Sequence, residues 1–259
     1  MKYKTRQLAE RFVSLLSEWP EVECVSLNEA ADSDTLDPYF AVILDVYHRG
    51  AVPAPEKRWE MYGADAAAFE SSGGGSKDRF LIGALPVRLE FKAAEKIEEL
   101  VSIAESKQDL LWFLKDSGTY GYYRLAHGEV LFSRTGWIDG IQKKLLGLND
   151  HFWRQIRETT ESKMEHSLSD LGAALMNNDE FHYLVSSALF IKYACLALFC
   201  INNCFEPSHR AYYKQVLELP VLPESFAAEL DTFLRKSEEL TMERKYNVAK
   251  LLARSIIAL

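Results

Sequence analysis

The sequence has no excess of basic residues. Its 259 residues contain 30 Lys and Arg against 38 Asp and Glu, which gives a formal net charge of -8. A protein of this charge lacks the surplus of cations that a broad nucleic-acid face needs to neutralise phosphates. The excess of acidic residues therefore argues against general affinity for nucleic acid, and it disfavours an RNA-tailing enzyme. A local basic pocket is still compatible with this net charge.

Cysteines are also few, and no export signal is visible. The four cysteines have no metal-ligand spacing, and three of them (Cys195, Cys200 and Cys204) fall in one apolar helical segment, where buried thiols are ordinary core residues. Residues 1–19 interleave charged and apolar side chains as an amphipathic helix does, without the uninterrupted apolar core of a signal peptide. Both features predict a cytoplasmic protein.

Long apolar runs are scarce as well. The longest, residues 184–201, approaches the length of a bilayer span but carries Lys192 near its middle. We therefore favour a buried core helix over a membrane span and expect no membrane partner.

The apolar pattern changes between the two halves of the chain. The first half alternates as strands do at residues 22–27 (VECVSL), 39–47 (YFAVILDVY), 80–91 (FLIGALPVRLEF) and 129–133 (EVLFS). Helical spacing predicts helices at residues 54–70 (APEKRWEMYGADAAAFE) and 94–116 (AEKIEELVSIAESKQDLLWFLKD). From Trp137 onward only helical patterns remain, and Pro207 ends the long apolar helix.

These patterns predict an α+β fold, with a small mixed sheet and flanking helices followed by an all-α helical bundle. We expect two domains, residues 1–142 and residues 143–259. Because no linker separates them, we expect the domains to pack together and to leave a cleft in which a ligand binds.

Two of the predicted strands each place one carboxylate on their more polar face. Alternation puts Asp45 opposite the wholly apolar face of its strand, and puts Glu90 on the face that also carries Arg88 and Lys92. If the strands are neighbours in register, Asp45 and Glu90 can share a divalent cation such as Mg²⁺, which prefers clustered oxygen ligands. The alternative, which the residues alone favour, is that Arg88 or Lys92 pairs with Asp45 across a half-exposed sheet.

The remaining acidic residues near this strand are predicted to be turn residues. Asp37 precedes Pro38, which biases it towards an extended or turn conformation. Asp32 and Asp34 form the only literal Asp-x-Asp of the sequence, but they lie in a polar loop.

Several cations are candidates for binding phosphate. Lys77 follows three glycines in ESSGGGSKDRF (residues 70–80), but the spacing is not that of a nucleotide-binding loop, so a flexible surface loop is favoured. Lys192 lies on an apolar helical stripe, so it either reaches the surface or faces the cleft and meets a phosphate or carboxylate. Arg210 and Lys214 follow Pro207 with His209 and form either a solvated surface or a phosphate-facing patch.

Other chemistry-bearing residues have ordinary structural interpretations. His182 is predicted to be a core histidine rather than a base. Three tyrosines near a glycine turn, Tyr120, Tyr122 and Tyr123, can stack a nucleotide base but more often pack. No Ser or Cys lies in a recognisable nucleophile elbow, so no catalytic triad is predicted.

The chain resembles the nucleotidyltransferase superfamily that includes the antibiotic nucleotidyltransferases. The segments that show the resemblance are DSDTLDPYFAVILDVY (residues 32–47), LPVRLEFK (85–92), GEVLFSRTGWIDGIQKKL (128–145) and LALFCINNCFEPSHRAYYKQVLELP (196–220). In that family a Gly-Ser pair anchors the triphosphate, an Asp-x-Asp or Asp-x-Glu pair on the next strand holds Mg²⁺, and a third carboxylate lies on a later strand. The match implies that Asp45 is the second member of the pair and Glu90 the third carboxylate.

The resemblance implies that the chain transfers a nucleoside monophosphate from an NTP to a hydroxyl acceptor, either a small molecule or a macromolecule, with Mg²⁺. Asp45 and Glu90 would be the catalytic and metal-binding residues, and Lys77, Lys192, Arg210 and Lys214 would bind the nucleotide. The sequence departs from the family where Ile43 replaces the first carboxylate and where Val25-Ser26-Leu27-Asn28 replaces Gly-Ser. These departures favour the alternative, a catalytically inactive nucleotide-binding or partner-binding protein of the same fold.

Overall fold

The computed structural model describes residues 3–28, 41–106, 118–235 and 240–259. The chain divides into two compact units, Met1–Lys107 with Gly121–Gly147, and Gln108–Tyr120 with Leu148–Leu259. Within the described residues the first unit holds a mixed sheet with helices and the second holds helices. The predicted α+β class is therefore confirmed.

The first unit contains six described strands and five described helices. The strands are β1 (Val22–Leu27), β2 (Val42–His48), β3 (Ala66–Ser71), β4 (Lys77–Ile82), β5 (Leu85–Ala93) and β6 (Glu129–Ser133). The helices are α1 (Tyr3–Ser17), α2 (Pro55–Tyr62), α3 (Ala94–Ser106), α4 (Tyr120–His127) and α5 (Trp137–Leu146). The first residue of α4, Tyr120, is assigned to the second unit.

The strands form one sheet in the order β3-β4-β5-β2-β1-β6. The central pair, β2 and β5, is parallel, and the other neighbouring pairs are antiparallel. Strands β1 and β2 are buried along nearly their whole length, because both faces of the sheet are covered.

One face of the sheet carries the apolar core of the first unit. Val42, Leu44 and Val46 of β2 pack there with the apolar side of α1, including Phe12 and Leu16. The alternation predicted for β2 is confirmed, since the residues between these three point to the opposite face. That opposite face was expected to be half exposed, and this expectation is wrong: Asp45 and Tyr47 are completely buried.

The predicted helix at residues 54–70 is too long. Helix α2 ends at Tyr62, and residues 66–71 form the edge strand β3 instead. The run Ala66-Ala67-Ala68 has high helix propensity, but pairing with β4 overrides this weak preference.

The glycine-rich segment is the turn between β3 and β4. The amide of Gly75 donates to the carbonyl of Ser72 at 2.7 Å, and the Arg58 guanidinium donates to the carbonyl of Gly75 at 2.8 Å. Arg58 is itself buried and binds Asp78 through two hydrogen bonds of 2.8 and 2.7 Å. This buried ion pair ties the turn to α2, and the tip of the hairpin at Gly73 and Gly74 is exposed at the surface.

The second unit consists of helices in its described part. These are α6 (Asp150–Met176), α7 (Glu180–Ile201), α8 (Tyr212–Leu217), α9 (Phe226–Leu234) and α10 (Met242–Ile257). Helices α6 and α7 pack along much of their length, and α10 packs on both. The core of the unit includes Phe190, Phe199, Leu230 and Leu252.

Helix α7 is buried over only part of its surface. Of the described helices it alone is long and apolar enough to cross a membrane, and 50% of its most apolar window is buried inside the protein. Residues 194–200 are all buried, as a core helix predicts, whereas Phe181, Leu184 and Val185 near its start are exposed. The prediction of a buried core helix is right for its second half and for one side of its first half, where Tyr183 and Phe190 are buried.

Candidate functional site

The two predicted carboxylates lie side by side in the middle of the sheet. Asp45 of β2 is directly opposite Glu90 of β5 in the parallel register, and Glu90 is directly opposite Lys77 of β4. Directly opposed residues on neighbouring strands project to the same face, with backbones about 4.8 Å apart. The sheet therefore brings Asp45, Glu90 and Lys77 into one row, as the prediction that the strands are neighbours in register requires.

Helix α4 places Arg124 over this row. The Arg124 guanidinium donates to both oxygens of Asp45, from Nη2 to Oδ1 at 2.5 Å and from Nε to Oδ2 at 3.1 Å. Its third nitrogen, Nη1, donates to Oε2 of Glu90 at 2.9 Å. One guanidinium thus bridges two carboxylates. Its contact with Asp45 is bidentate, and bidentate hydrogen bonds between charged groups are stronger than those between neutral groups.

Further donors occupy the same carboxylates. Lys92 Nζ lies 2.8 Å from Oδ1 of Asp45, and Asn28 Nδ2 donates to Oδ2 at 2.8 Å. Lys77 Nζ lies 3.3 Å from Oε1 of Glu90. The pairing of Lys92 with Asp45, one of the alternatives open from sequence, is therefore present. Three cationic side chains face two carboxylates, so the cluster carries a net positive charge when all its members are ionised.

The surroundings shift the pKa values of the cluster. Burial by itself would raise the pKa of Glu90, but Arg124, Lys92 and Lys77 outweigh burial and hold that pKa below its ordinary value. Burial lowers the pKa of Lys92 although Asp45 opposes this change. Burial, followed by the charge of Asp45, raises the pKa of the neighbouring Tyr47 well above its ordinary value. Glu90 is thus held as a carboxylate by its cationic neighbours.

Gly128 allows α4 to end close to β1. A Cβ at this position would lie 2.6 Å from the carbonyl oxygen of Arg124 and 3.2 Å from Oγ of Ser26. The amide of Gly128 donates to that same carbonyl at 2.9 Å, and Gln142 of α5 donates to the carbonyl of Leu125 at 3.1 Å. These contacts fix the last turn of α4 and, with it, the position of Arg124.

A polar cavity of about 160 Å³ lies beside the cluster. It is lined by residues from the end of β1, from α4 and from the start of β6, namely Leu27, Asn28, Tyr123, Arg124, His127, Gly128 and Glu129. The rings of Tyr123 and His127 lie 4.7 Å apart, one helical turn from each other. The cavity combines a guanidinium, an imidazole, an amide and an aromatic ring, which are groups that recognise phosphate and planar bases. Its lining also includes the Glu129 carboxylate, which pairs with Arg6.

The arrangement of donors does not fit a bound metal ion. Each oxygen of Asp45 already accepts at least two donors, and each oxygen of Glu90 has a cation within 3.3 Å. A divalent cation at the carboxylates would stand beside Arg124 and Lys92 and be repelled by both. In the part of the chain that the structure describes, no group of three or more His, Cys, Asp or Glu residues can hold a metal ion. Mg²⁺ would require the displacement of Arg124.

The other predicted nucleotide-binding residues are not carried by the first unit. Lys192 on α7, Arg210 and Lys214 belong to the second unit. The Lys192 ammonium lies 5.5 Å from the ring centre of the adjacent Tyr193, and Arg210 and Lys214 are exposed. His182 is exposed, so the prediction of a core histidine is wrong. Asp32, Asp34 and Asp37 lie outside the described residues.

The second unit contains a buried carboxylate that the sequence did not single out. Glu206 accepts a short hydrogen bond from the Tyr212 hydroxyl and lies 3.1 Å from Nε2 of His209. It also accepts from the amide of Thr119 at 3.3 Å, while its own amide donates to Oγ1 of Thr119 at 2.8 Å. Gly118, with φ +70°, leaves no room for a Cβ beside the Glu206 carboxylate. Glu206 therefore anchors the residues immediately before α4.

Sequence reasoning missed Arg124 and Asn28, which contact the predicted carboxylates directly. Arg124 is 79 residues from Asp45 in the chain, and the stretch around it was interpreted as an aromatic cluster at a turn. A usable signal was present, because Tyr122, Leu125 and Ala126 have the spacing of one helical face. The structure buries all three. A helix predicted on that signal would have made Arg124 a candidate partner for the acidic residues.

Comparison with known proteins supports the fold alone. No family model matches the sequence, and no curated protein matches it significantly. Among solved structures, the chain is similar to a nucleotidyltransferase-like protein from Exiguobacterium sibiricum 255-15, with 12% sequence identity and a TM-score of 0.50. The similarity covers 97% of this chain and 74% of the other. The chain thus has a nucleotidyltransferase-like fold.

Proposed function

We propose that this chain is a metal-independent nucleotide-binding protein built on a nucleotidyltransferase-like fold. The observation that supports this proposal most strongly is the bridge that Arg124 forms between Asp45 and Glu90. A guanidinium there supplies the positive charge that a metal ion would supply between two carboxylates. With Ile43 two residues before Asp45, the strand also lacks a second carboxylate on the same face.

The cavity beside Arg124 is the proposed nucleotide site. Arg124 and His127 offer charge and hydrogen bonds to phosphate, Asn28 offers an amide, and Tyr123 offers a ring on which a base can stack. The ligand is an NTP or another nucleotide, held without Mg²⁺. Lys77 pairs with Glu90 and adds one more positive charge to the same face of the sheet.

A second candidate function is Mg²⁺-dependent transfer of a nucleoside monophosphate from an NTP to a hydroxyl acceptor. One observation favours it: Asp45 and Glu90 are directly opposed in a parallel pair, as two carboxylates of one catalytic site need to be. This function requires Arg124 and Lys92 to leave the carboxylates when the metal binds. The metal-independent function leaves Arg124 and Lys92 on the carboxylates, so it is the better supported of the two.

Calorimetric titration of the full-length chain with ATP tests the proposal. We expect the same affinity in EDTA and in Mg²⁺, and an affinity about tenfold weaker in Tyr123→Ala and His127→Ala, a loss of about 1.4 kcal/mol each. Tyr213→Ala is the matched control, because Tyr213 is an exposed tyrosine of α8 outside the cavity. Unchanged affinity in both cavity variants, or no binding of ATP or of the other NTPs, would overturn the proposed site.

Pyrophosphate release distinguishes the two functions. The metal-independent protein releases no pyrophosphate from any NTP when it is incubated with Mg²⁺ and hydroxyl acceptors, including sugars, aminoglycosides and RNA. Release that disappears in Asp45→Asn would establish the enzyme and refute the metal-independent function.

A further inference from the structure

The first half of α7 presents apolar side chains to solvent. The exposed fractions are 78% for Phe181, 69% for Leu184, 40% for Val185 and 39% for Leu189. Met176, at the end of the preceding helix, is 88% exposed. Single exposed apolar residues are common on proteins, but a contiguous group of this kind marks an interaction surface.

These residues form one stripe along the helix. Positions 181, 184, 185, 188 and 189 are spaced three and four residues apart, so they share one face, and Lys192 continues the same line. The opposite side of α7 is buried in the core of the second unit, where Tyr183, Ser186 and Phe190 are all buried. A helix with apolar side chains on both sides is normally buried on both sides, so a partner is expected to pack on the exposed stripe.

We infer that this stripe is the interface of a homodimer in which the α7 helices of two copies pack antiparallel across a two-fold axis. A two-fold interface uses the same patch on both copies, so each residue must face a suitable residue of the other copy. With the axis between Ser186 and Ser187, Leu184 of one copy faces Leu189 of the other. Val185 then faces Ala188 and Phe181 faces Lys192.

The charges at the two ends of the stripe favour a second copy as the occupant. Glu180 lies at the start of α7 and Lys192 three turns later, and both side chains remain accessible to solvent. The two-fold axis brings the ammonium of Lys192 to the ring of Phe181 and next to the carboxylate of Glu180 in the other copy. A cation over an aromatic ring and beside a carboxylate is stabilised by both. A lipid surface offers no aromatic ring to the Lys192 ammonium.

The area of the apolar stripe can also be compared with the area of known protein interfaces. The four exposed apolar side chains of the stripe present about 400 Å² per copy, against about 800 Å² per partner in a standard protein interface. Polar residues at the edge of the stripe supply the remainder. The inference is independent of any ligand at the Arg124 cavity.

Sedimentation velocity of the full-length chain over a hundredfold range of concentration tests the inference. We expect a monomer–dimer equilibrium in the native chain and a dissociation constant raised at least about 30-fold in Leu184→Glu and in Phe181→Glu. Leu251→Glu is the matched control, because Leu251 is a 51% exposed leucine on α10, and we expect it to dimerise like the native chain. Circular dichroism and melting curves confirm that each variant is folded.

A charge exchange tests the antiparallel register. Lys192→Glu places two carboxylates near each other and weakens the dimer, whereas the double variant Glu180→Lys with Lys192→Glu exchanges the charges and recovers at least part of the affinity. A chain that is monomeric at every concentration, or a dimer that Leu184→Glu and Phe181→Glu leave intact, would overturn the inference. Binding of a monomeric chain to phosphatidylcholine vesicles, lost in Leu184→Glu, would also overturn it and assign the stripe to a membrane surface.

Discussion

Arg124 on α4 binds Asp45 on β2 through two hydrogen bonds, of 2.5 and 3.1 Å, although the two residues are 79 positions apart in the chain. Asp45 is completely buried, and the Arg124 side chain is 11% exposed. Asp45 is therefore shielded from water, whereas Arg124 reaches the wall of the neighbouring cavity. The pair closes the polar side of the sheet and occupies the carboxylate that the family resemblance assigns to a metal.

Arg124→Gln will destabilise the protein by about 2–3 kcal/mol, because the substitution removes charged hydrogen bonds to two buried carboxylates, although Lys92 still pairs with Asp45 and Lys77 with Glu90. Urea unfolding measures the loss. Arg124→Lys is the control variant, since it keeps the charge but cannot bridge both carboxylates, and it should be less destabilising than Gln. If Arg124→Gln unfolds within about 0.5 kcal/mol of the native chain, the bridge does not contribute to stability.

The stability of the native chain will fall in acid partly through Glu90. The folded protein holds the pKa of Glu90 below the ordinary value of 4.5, so protonation of this group favours the unfolded chain. Its contribution is fully present above the unfolded pKa and is lost as the pH falls through the lower, folded pKa. The free energy of unfolding of the native chain and of Glu90→Gln, measured from pH 7 to pH 3, should therefore converge in acid. Parallel curves would contradict this assignment.

Gly128→Ala will destabilise the protein by about 1–3 kcal/mol, because the new methyl group would overlap the Arg124 carbonyl and press on Ser26. The matched control is Gly121→Ala on the same helix, where a Cβ meets nothing within 4 Å. Alanine in a helix is favoured over glycine by up to about 1 kcal/mol, so the control should be neutral or stabilising. Equal melting temperatures for the two variants would contradict the close approach at Gly128.

Gly118→Ala will destabilise the chain more than Gly83→Ala does. Both glycines have positive φ, +70° and +58°, so both substitutions carry the cost of that backbone conformation. Only at Gly118 would the methyl group also overlap the carboxylate of Glu206 and displace it from Thr119. Chemical denaturation of the two variants gives the difference directly, and an equal loss would show that Glu206 does not constrain this segment.

The sequence was sufficient for the faces on which Asp45 and Glu90 lie, because alternation along a strand is a local rule. Alternation along β2 and β5 determines which side Asp45 and Glu90 face, and a small sheet makes it reasonable that two such strands are neighbours. The position of Arg124 depends on how α4 packs on the sheet, which involves contacts distant in sequence. The same limit explains β3, where the helix propensity of three alanines conflicts with pairing to β4.

The burial of the polar face was missed for a related reason. Tyr47 contacts Trp137 at the start of α5 with ring centres 5.6 Å apart, and α4 covers Asp45. Neither helix could be assigned to that face from spacing alone. A charged residue on the second face of a strand usually indicates that this face is exposed to solvent. Here the charged residue is Asp45, which is buried and forms an ion pair with Arg124.

Titration with Mn²⁺, followed by electron paramagnetic resonance, tests the central claim that Arg124 takes the place of a metal ion. Mn²⁺ is a spectroscopic substitute for Mg²⁺, and the native chain should bind none at the Asp45 and Glu90 carboxylates, with or without ATP. The spectra of the native chain, Asp45→Asn and Glu90→Gln should then be the same. A stoichiometric Mn²⁺ site in the native chain that both substitutions abolish would contradict the claim.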